Sequence, residues 1–370
     1  MDKILRLIEC YVPIYACNFR CDYCYIKQNP GRHFDNKTGA FPYPPEQIAY
    51  ALRKERLGGT CLINLCAGGE TLLSGQTVEL ARLLLEEGHY VMIVTNGTVT
   101  KWIDALCALD PELKGRLWIR FSLHYLELKR LNMLDIFFDN VVKVKKAGMS
   151  IAMEMVASDD YIPHIPDIKE ICMDRVGALP EISIARSEED FSTLTELPEA
   201  EYISTWKTFE SPSFDFKCET VGVKRKEFCY AGDWSATLDL GTGLISKCYS
   251  HPFQNIFDDP DAPIRFEAMG CHCHLPYCHN SHIWLTLGNI PELDLPNFAQ
   301  IRDKVCADGT HWLTKQMHDF IDCKYADTHR QYSPLKKWWI NTKTTVVTTA
   351  RRLLQQGIAL LRRIKRGLLG

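Results

Sequence analysis

Short apolar runs alternate with longer stretches of helical periodicity along the first half of the chain. Residues 10–15 (Cys-Tyr-Val-Pro-Ile-Tyr) predict a short strand, and Cys61 to Cys66 a buried one. Further strands are predicted over 90–95, 117–123, 150–157 and 180–185. Between them, apolar residues spaced by three and four predict helices over 45–57 (Ile48, Leu52, Leu57), 76–88 (Val78, Leu80, Leu83, Leu84), 101–108, 127–147 and 164–176. Six strand–helix units in succession predict a parallel sheet, and right-handed crossovers curl such a sheet toward an incomplete barrel. Ligands on sheets of this kind sit at the carboxyl ends of the strands.

The first chemistry-bearing stretch follows the first predicted strand: Cys17-Asn18-Phe19-Arg20-Cys21-Asp22-Tyr23-Cys24. Three thiolates on one loop can hold three irons of a four-iron, four-sulfur cluster and leave the fourth iron open to a small molecule. Zinc usually takes four ligands in two pairs, and no second pair is nearby. Gly68-Gly69-Glu70 follows the second strand, where two glycines allow close backbone approach and a carboxylate can meet an ammonium. Thr95-Asn96-Gly97-Thr98 follows the third, and reads either as a turn with a positive-φ glycine or as a ligand loop. Ser122 and His124 close the fourth. Glu154 interrupts the apolar fifth strand, where a charge needs a partner or a ligand, and Arg186 just past the sixth is a candidate partner or carboxylate-binding group.

The CxxxCxxC spacing, with Tyr23 before the last cysteine and Gly68-Gly69-Glu70 one unit later, resembles the radical S-adenosylmethionine (radical SAM) enzymes over roughly residues 8–190. The resemblance implies that Cys17, Cys21 and Cys24 hold a [4Fe-4S] cluster. It implies that Gly68, Gly69 and Glu70 bind the methionine end of S-adenosylmethionine, and that Asn96, Ser122, Glu154 and Arg186 are candidates for contacts to the cofactor or substrate. It also implies reductive cleavage to a 5'-deoxyadenosyl radical and hydrogen abstraction from a substrate carbon, with a flavodoxin- or ferredoxin-type reductant.

Composition sharpens this picture. Apolar content of 46% and charge of 24% are ordinary for a globular protein. Sixteen cysteines with no secretory signal ahead of them argue for metal rather than disulfides, and hence a cytoplasmic setting. The second half holds another cysteine constellation: Cys229, Gly243 and Cys248 around a predicted hairpin, then Cys271, Cys273 and Cys278. The pattern C-x13-G-x4-C resembles the opening of the SPASM and Twitch modules, which carry auxiliary iron–sulfur clusters. The full SPASM continuation is missing, so one auxiliary [4Fe-4S] cluster is expected, on Cys229, Cys248 and two of the other three, with Cys273 and Cys278 favoured. A second cluster would need Cys306 or Cys323. A zinc site using His272, His274 or His279 is the alternative.

Charge is uneven. The whole chain has 43 basic and 46 acidic residues, but ten of the basic ones and none of the acids lie from Thr328 onward, leaving a body of net charge −13. Over 346–369, Val347, Ala350, Leu354, Ile358, Leu361, Ile364 and Leu368 share one helical face flanked by arginines, after Trp338-Trp339. Such a basic amphipathic helix suits an anionic membrane surface, giving peripheral contact at the cytoplasmic face, or it packs on the acidic body or a partner. No recognition fold accompanies the charge, so nucleic acid is not expected.

The expected architecture is α/β: a partial (β/α)6 TIM-like barrel (1–190), a connector (191–227), a small cysteine-rich SPASM/Twitch-like domain (228–330) and a C-terminal amphipathic segment (331–370). The expected activity is a radical SAM reaction, oxidoreductase in type, that oxidises or otherwise modifies a small molecule, a sugar or glycan, or a peptide. The cysteine loop starts at residue 17 and leaves no room ahead of it for a leader-peptide-binding domain, which weighs against the ribosomal-peptide maturase (crosslinking or epimerising) without excluding it. The non-enzymatic alternative is a zinc- or iron-binding scaffold docked to membrane.

Overall fold

The computed structural model describes residues 3–24, 26, 40–189, 191–249, 251–271 and 273–343. Six parallel strands follow one another in chain order: β1 (Arg6–Val12), β2 (Cys61–Ala67), β3 (Tyr90–Thr95), β4 (Leu117–Ser122), β5 (Ser150–Ala157) and β6 (Glu181–Ile184). Helices connect them, as the alternation of periods predicts. The central strands are buried on both faces, the usual condition of parallel strands, and β2 has only Cys66 even half-buried. Each fully buried Leu or Ile there contributes about 1.5–3 kcal/mol.

The sheet does not stop at β6 or close on itself. β7 (Ser235–Asp239) pairs in parallel with the free edge of β1, from Leu7 opposite Ser235 to Tyr11 opposite Asp239. β8 (Leu244–Ser246) and β9 (Pro252–Asn255) then continue antiparallel, giving a nine-stranded sheet with β6 and β9 at its edges. The predicted hairpin between Cys229 and Cys248 is thus β7–β8, and its first strand extends the first-half sheet.

Several boundaries differ from expectation. The first strand runs over residues 6–12 rather than 10–15: Leu7, Ile8 and Cys10 are all buried, and Pro13, which has no N–H, ends the ladder. The helix expected over 127–147 is two, Tyr125–Arg130 and Leu134–Lys146, broken where Asn132 takes a positive φ of 54°. The connector holds helices Glu199–Lys207 and Pro212–Thr220. Acids in the first turn suit a helix N-terminus, and Ser211 caps the second helix through the Phe214 N–H. Tyr202, Trp206, Phe209 and Phe214 are buried there. Residues 334–343 are helical, with Leu335, Trp338 and Trp339 exposed. The amphipathic helix expected over 346–369 lies outside the described residues. Among the described residues no helix is long and apolar enough to cross a membrane.

Register decides which side chains share a face. Glu9 stands opposite Asn64, Asn64 opposite Met92, Met92 opposite Trp118, Ser122 opposite Glu154, and Glu154 opposite Glu181. With a period of two along each strand, Glu9, Asn64, Cys66, Arg120, Ser122, Glu154, Glu181 and Ser183 therefore lie on one face. Lys217, His282 and Arg302 come to that face from segments that follow β6.

Candidate cofactor-binding sites

The cysteine loop leaves β1 at Pro13 and is held against the end of β2 by its backbone. The Gly69 N–H donates to the Ile14 carbonyl (2.8 Å) and the Glu70 N–H to the Ala16 carbonyl (2.9 Å). The approach is so close that a Cβ on Gly69 would stand 1.9 Å from the Ala16 oxygen. Gly69 is a glycine because nothing larger fits. Gly68 lies against the Tyr15 ring.

Cys17, Cys21 and Cys24 share this loop and act on one another electrostatically. Burial pushes the Cys21 thiol up to about 12, with Cys24, Glu127 and Cys17 adding to the rise. Burial likewise takes Cys17 to about 11, with Glu70 and Cys24 adding. Cys17 and Cys21, whose ionisation the neighbouring thiols oppose, belong to a donor set that a cationic iron–sulfur group would relieve, because thiolate is the ligating form. The Arg20 N–H donates to a Glu127 carboxylate oxygen (2.9 Å) and fixes the loop from outside.

Glu70 is engaged within the fold at three of its acceptor positions. Its carboxylate accepts from the Leu72 N–H (2.8 Å), the Thr95 hydroxyl (2.6 Å) and the Asn96 N–H (2.6 Å), joining the ends of β2 and β3. Burial raises its pKa and these three bonds oppose the rise. A carboxylate has about four acceptor sites, so one is left for a further donor. Asn96 donates to the Asn18 side-chain oxygen (2.7 Å), and Asn18 in turn donates to the Thr98 hydroxyl (2.9 Å). The third loop thus grips the cysteine loop directly, and Gly97 takes the positive φ (74°) that the turn requires.

Sequence reasoning missed a hydroxyl–imidazole cluster here. The Tyr23 hydroxyl lies 2.6 Å from His124 Nδ1 and 2.6 Å from the Tyr161 hydroxyl. It also opposes the rise of the Cys21 thiol. Burial lowers His124 to about 4, so the ring is neutral at pH 7. The available signal was Tyr23 itself, a polar aromatic inside the cysteine motif.

Glu154 finds a different partner from the one expected. It accepts from Arg120 through Nε (2.8 Å) and Nη2 (2.6 Å), and from Arg302 through Nη1 (2.8 Å). Burial opposes its charge, but Arg120, Arg302 and Lys217 outweigh it and hold the carboxyl at about 2. Arg186 pairs instead with Glu188 at 2.5 Å. Arg120 wins because register sets it on the next strand and the same face. Ser122, also on this face, is half-buried, and its carbonyl accepts from the His124 N–H.

In the second half, Cys229, Cys248, Cys273 and Cys278 line one cavity, together with Tyr249, Tyr277, His279 and Trp284. The Cys229 and Gly270 backbones bridge each other, and the hairpin delivers Cys248. Burial pushes Cys229 to about 12, with Cys273, Glu227 and Cys271 adding, and it also raises Cys248 and Cys278. Four thiols lining one cavity suit a four-thiolate cluster. Cys271 does not line the cavity; its Sγ accepts from Asn341 Nδ2 at 3.3 Å. Cys306 accepts from Lys145 Nζ (2.9 Å) and Cys323 faces the Phe320 carbonyl (3.6 Å), so neither lines it. The His274 ring packs on His251, whereas the His279 ring packs on Phe191 and Tyr277. His272 lies outside the described residues. Among the described residues, no three His, Cys, Asp or Glu side chains are grouped as ligands of a single metal ion.

Residues 11–157 match the family described as the radical SAM superfamily. A Methanocaldococcus jannaschii protein bearing the provisional name of a glycyl-radical enzyme activating enzyme is 32% identical over 111 residues, which are 30% of this chain and 37% of that one. Among solved structures, Streptococcus suis SuiB bound to S-adenosylmethionine is similar with a TM-score of 0.48 and 15% identity, covering 70% of this chain and 64% of SuiB. Native anSMEcpe with bound AdoMet is similar at 0.47 and 14%, covering 69% and 79%. The chain thus spans less than two thirds of the length of the relatives named first.

Proposed function

Taking residues 11–157 as a radical SAM domain, the superfamily they match, we propose that the chain is an enzyme that cleaves S-adenosylmethionine reductively and abstracts hydrogen from a substrate carbon. The observation that carries this is the loop of Cys17, Cys21 and Cys24 locked onto Gly69 and Glu70. When bound, a four-iron cluster with one open iron supplies the electron and the metal centre for cleaving S-adenosylmethionine to methionine and a 5'-deoxyadenosyl radical.

The chain's own residues do the rest. Cys17, Cys21 and Cys24 would hold the cluster. Gly68 and Gly69 let the cysteine loop seat closely on the end of β2, and Glu70 braces the strand ends beside it. Asn96 and Asn18 fix the loop, and Tyr23 ties it to His124 and Tyr161. Cys229, Cys248, Cys273 and Cys278 would hold an auxiliary cluster of the SPASM/Twitch kind, which makes a net oxidation the favoured outcome. The polar face carrying Glu9, Arg120 and Glu154 is linked to the second set through Asn280, which donates to Glu9 (3.4 Å) and to the hydroxyl of Tyr249 in that cavity's lining. The substrate carbon belongs to a sugar or glycan, or to a peptide; the name of the Methanocaldococcus relative speaks for the second.

The test is anaerobic analysis of the purified chain. The proposal expects iron, acid-labile sulfide and a broad brown absorbance; zinc without sulfide would instead support a metal-bound scaffold.

A further inference from the structure

The polar face holds buried donors that its own residues do not satisfy. Arg302 is 1% exposed, and only its Nη1 is used, on Glu154. Its Nε and Nη2 are buried and have no hydrogen-bond partner. Those two nitrogens form the edge of the guanidinium that matches two oxygens of a carboxylate or phosphate. His282 is 4% exposed, and neither of its ring nitrogens has a partner. Lys217 donates to the Ser183 hydroxyl (2.6 Å) from the helix that packs on β6. The helices that carry Lys217, His282 and Arg302 pack on one another, and Arg120 meets Arg302 at Glu154, so the four groups share one neighbourhood.

The acids facing this neighbourhood do not balance it. Glu154 takes Arg120 and Arg302. Glu181 takes the Ser211 hydroxyl (2.6 Å) and lies 3.7 Å from Lys304 Nζ. Glu9, reached by the field of Arg120, is pushed by burial up to about 7, which leaves it only partly charged at neutral pH. Burial lowers Lys217 to about 7, so it too is only partly charged, but Arg120, Arg302 and Lys304 still outnumber Glu154 and Glu181. Buried charge is stable when it is paired, and a buried guanidinium edge without an acceptor is costly.

We propose that Arg302, Lys217 and His282, backed by Arg120, form an oxyanion-binding site that holds a carboxylate or phosphate group of the substrate. The proposal deepens the enzyme reading above and rests on it for the word substrate. It turns the open question of substrate into a chemical class: an acidic molecule, whether sugar acid, sugar phosphate or a peptide carboxylate. Arg302 would grip two oxygens through Nε and Nη2, and a neutral His282 would donate one further N–H.

Calorimetric titration of the full, cluster-loaded chain with inorganic phosphate and, separately, with acetate tests this. One saturable site is expected. Phosphate binding without acetate binding assigns a phosphate group, and the reverse a carboxylate. Arg302→Gln should weaken binding about tenfold or more, the loss expected for a charge-assisted pair. Glu154→Gln should tighten it, because it removes the anion that competes for Arg120 and Arg302. A chain ending at Lys343 should bind as the full chain does. Absence of saturable binding, unchanged binding in Arg302→Gln, or loss only on removing the basic tail overturns the proposal. If Arg302→Gln does not fold, His282→Gln and Glu154→Gln carry the same contrast. Formation of 5'-deoxyadenosine is followed on the same samples. Its persistence without phosphate or acetate binding refutes the oxyanion site alone, and its absence with binding intact refutes the enzyme reading alone.

Discussion

Gly69 stands against Ala16 with no room for a side chain: a Cβ would meet the Ala16 carbonyl oxygen at 1.9 Å, on backbone that cannot swing away. The cysteine loop is therefore seated by the β2 loop. Gly69→Ala should push the two apart at a cost of about 1–3 kcal/mol or more. Iron bound by the anaerobically purified variant should fall sharply although all three loop cysteines are present. Wild-type iron content and melting temperature in this variant would show that the contact does not position the loop.

Glu154 gives a pH signature. Its carboxyl is held at about 2 against an ordinary 4.5, with burial opposing the charge and Arg120, Arg302 and Lys217 outweighing it. A depressed carboxylate contributes stability that is present above pH 4.5 and lost as pH falls through 2. The size is about 3 kcal/mol. Urea unfolding should show Glu154→Gln less stable at pH 7 by about that amount, with the gap closing between pH 4.5 and 2. Parallel curves would mean that the pair contributes nothing net.

The two ends of the second cysteine constellation should behave differently. Cys273 lines the cavity, whereas the Cys271 sulfur accepts from Asn341. Cys273→Ala should halve the iron of a two-cluster protein, from about eight to about four per chain. Cys271→Ala should leave it unchanged. Equal losses would place Cys271 among the ligands.

The basic tail is tested by truncation, and the structure says where to cut. Ile340 is buried, and Asn341 holds Cys271 from both its backbone and its sulfur. The chain should therefore end at Lys343. Exposed Leu335, Trp338 and Trp339 precede the cut. Flotation with vesicles containing anionic lipid should fall several-fold on removing residues 344–370, and fall with salt in the full chain. Undiminished flotation would rule out the tail as the membrane contact.

Much of this was legible in the sequence because it is local. Alternating periods mark six strands and their helices, and the cysteine spacings mark both thiol sets. What was hidden depends on pairings distant in the chain. Arg120 interrupts Leu-Trp-Ile-Arg-Phe as openly as Glu154 interrupts its own strand, and parallel register could have joined them. Arg302, 148 residues beyond Glu154, carries no local mark of that contact. The union of β1 with β7 is likewise non-local. The helices between 199 and 220 were masked by acidic residues, although Tyr202, Trp206, Phe209 and Phe214 supply their core.

The most direct measurement is the yield of 5'-deoxyadenosine when the cluster-loaded chain is incubated anaerobically with S-adenosylmethionine and dithionite. The account predicts turnover by the wild type and none by Cys21→Ala, with Cys271→Ala as the active control. Equal 5'-deoxyadenosine from wild type and Cys21→Ala, or none from a wild type shown to carry iron and sulfide, would contradict it.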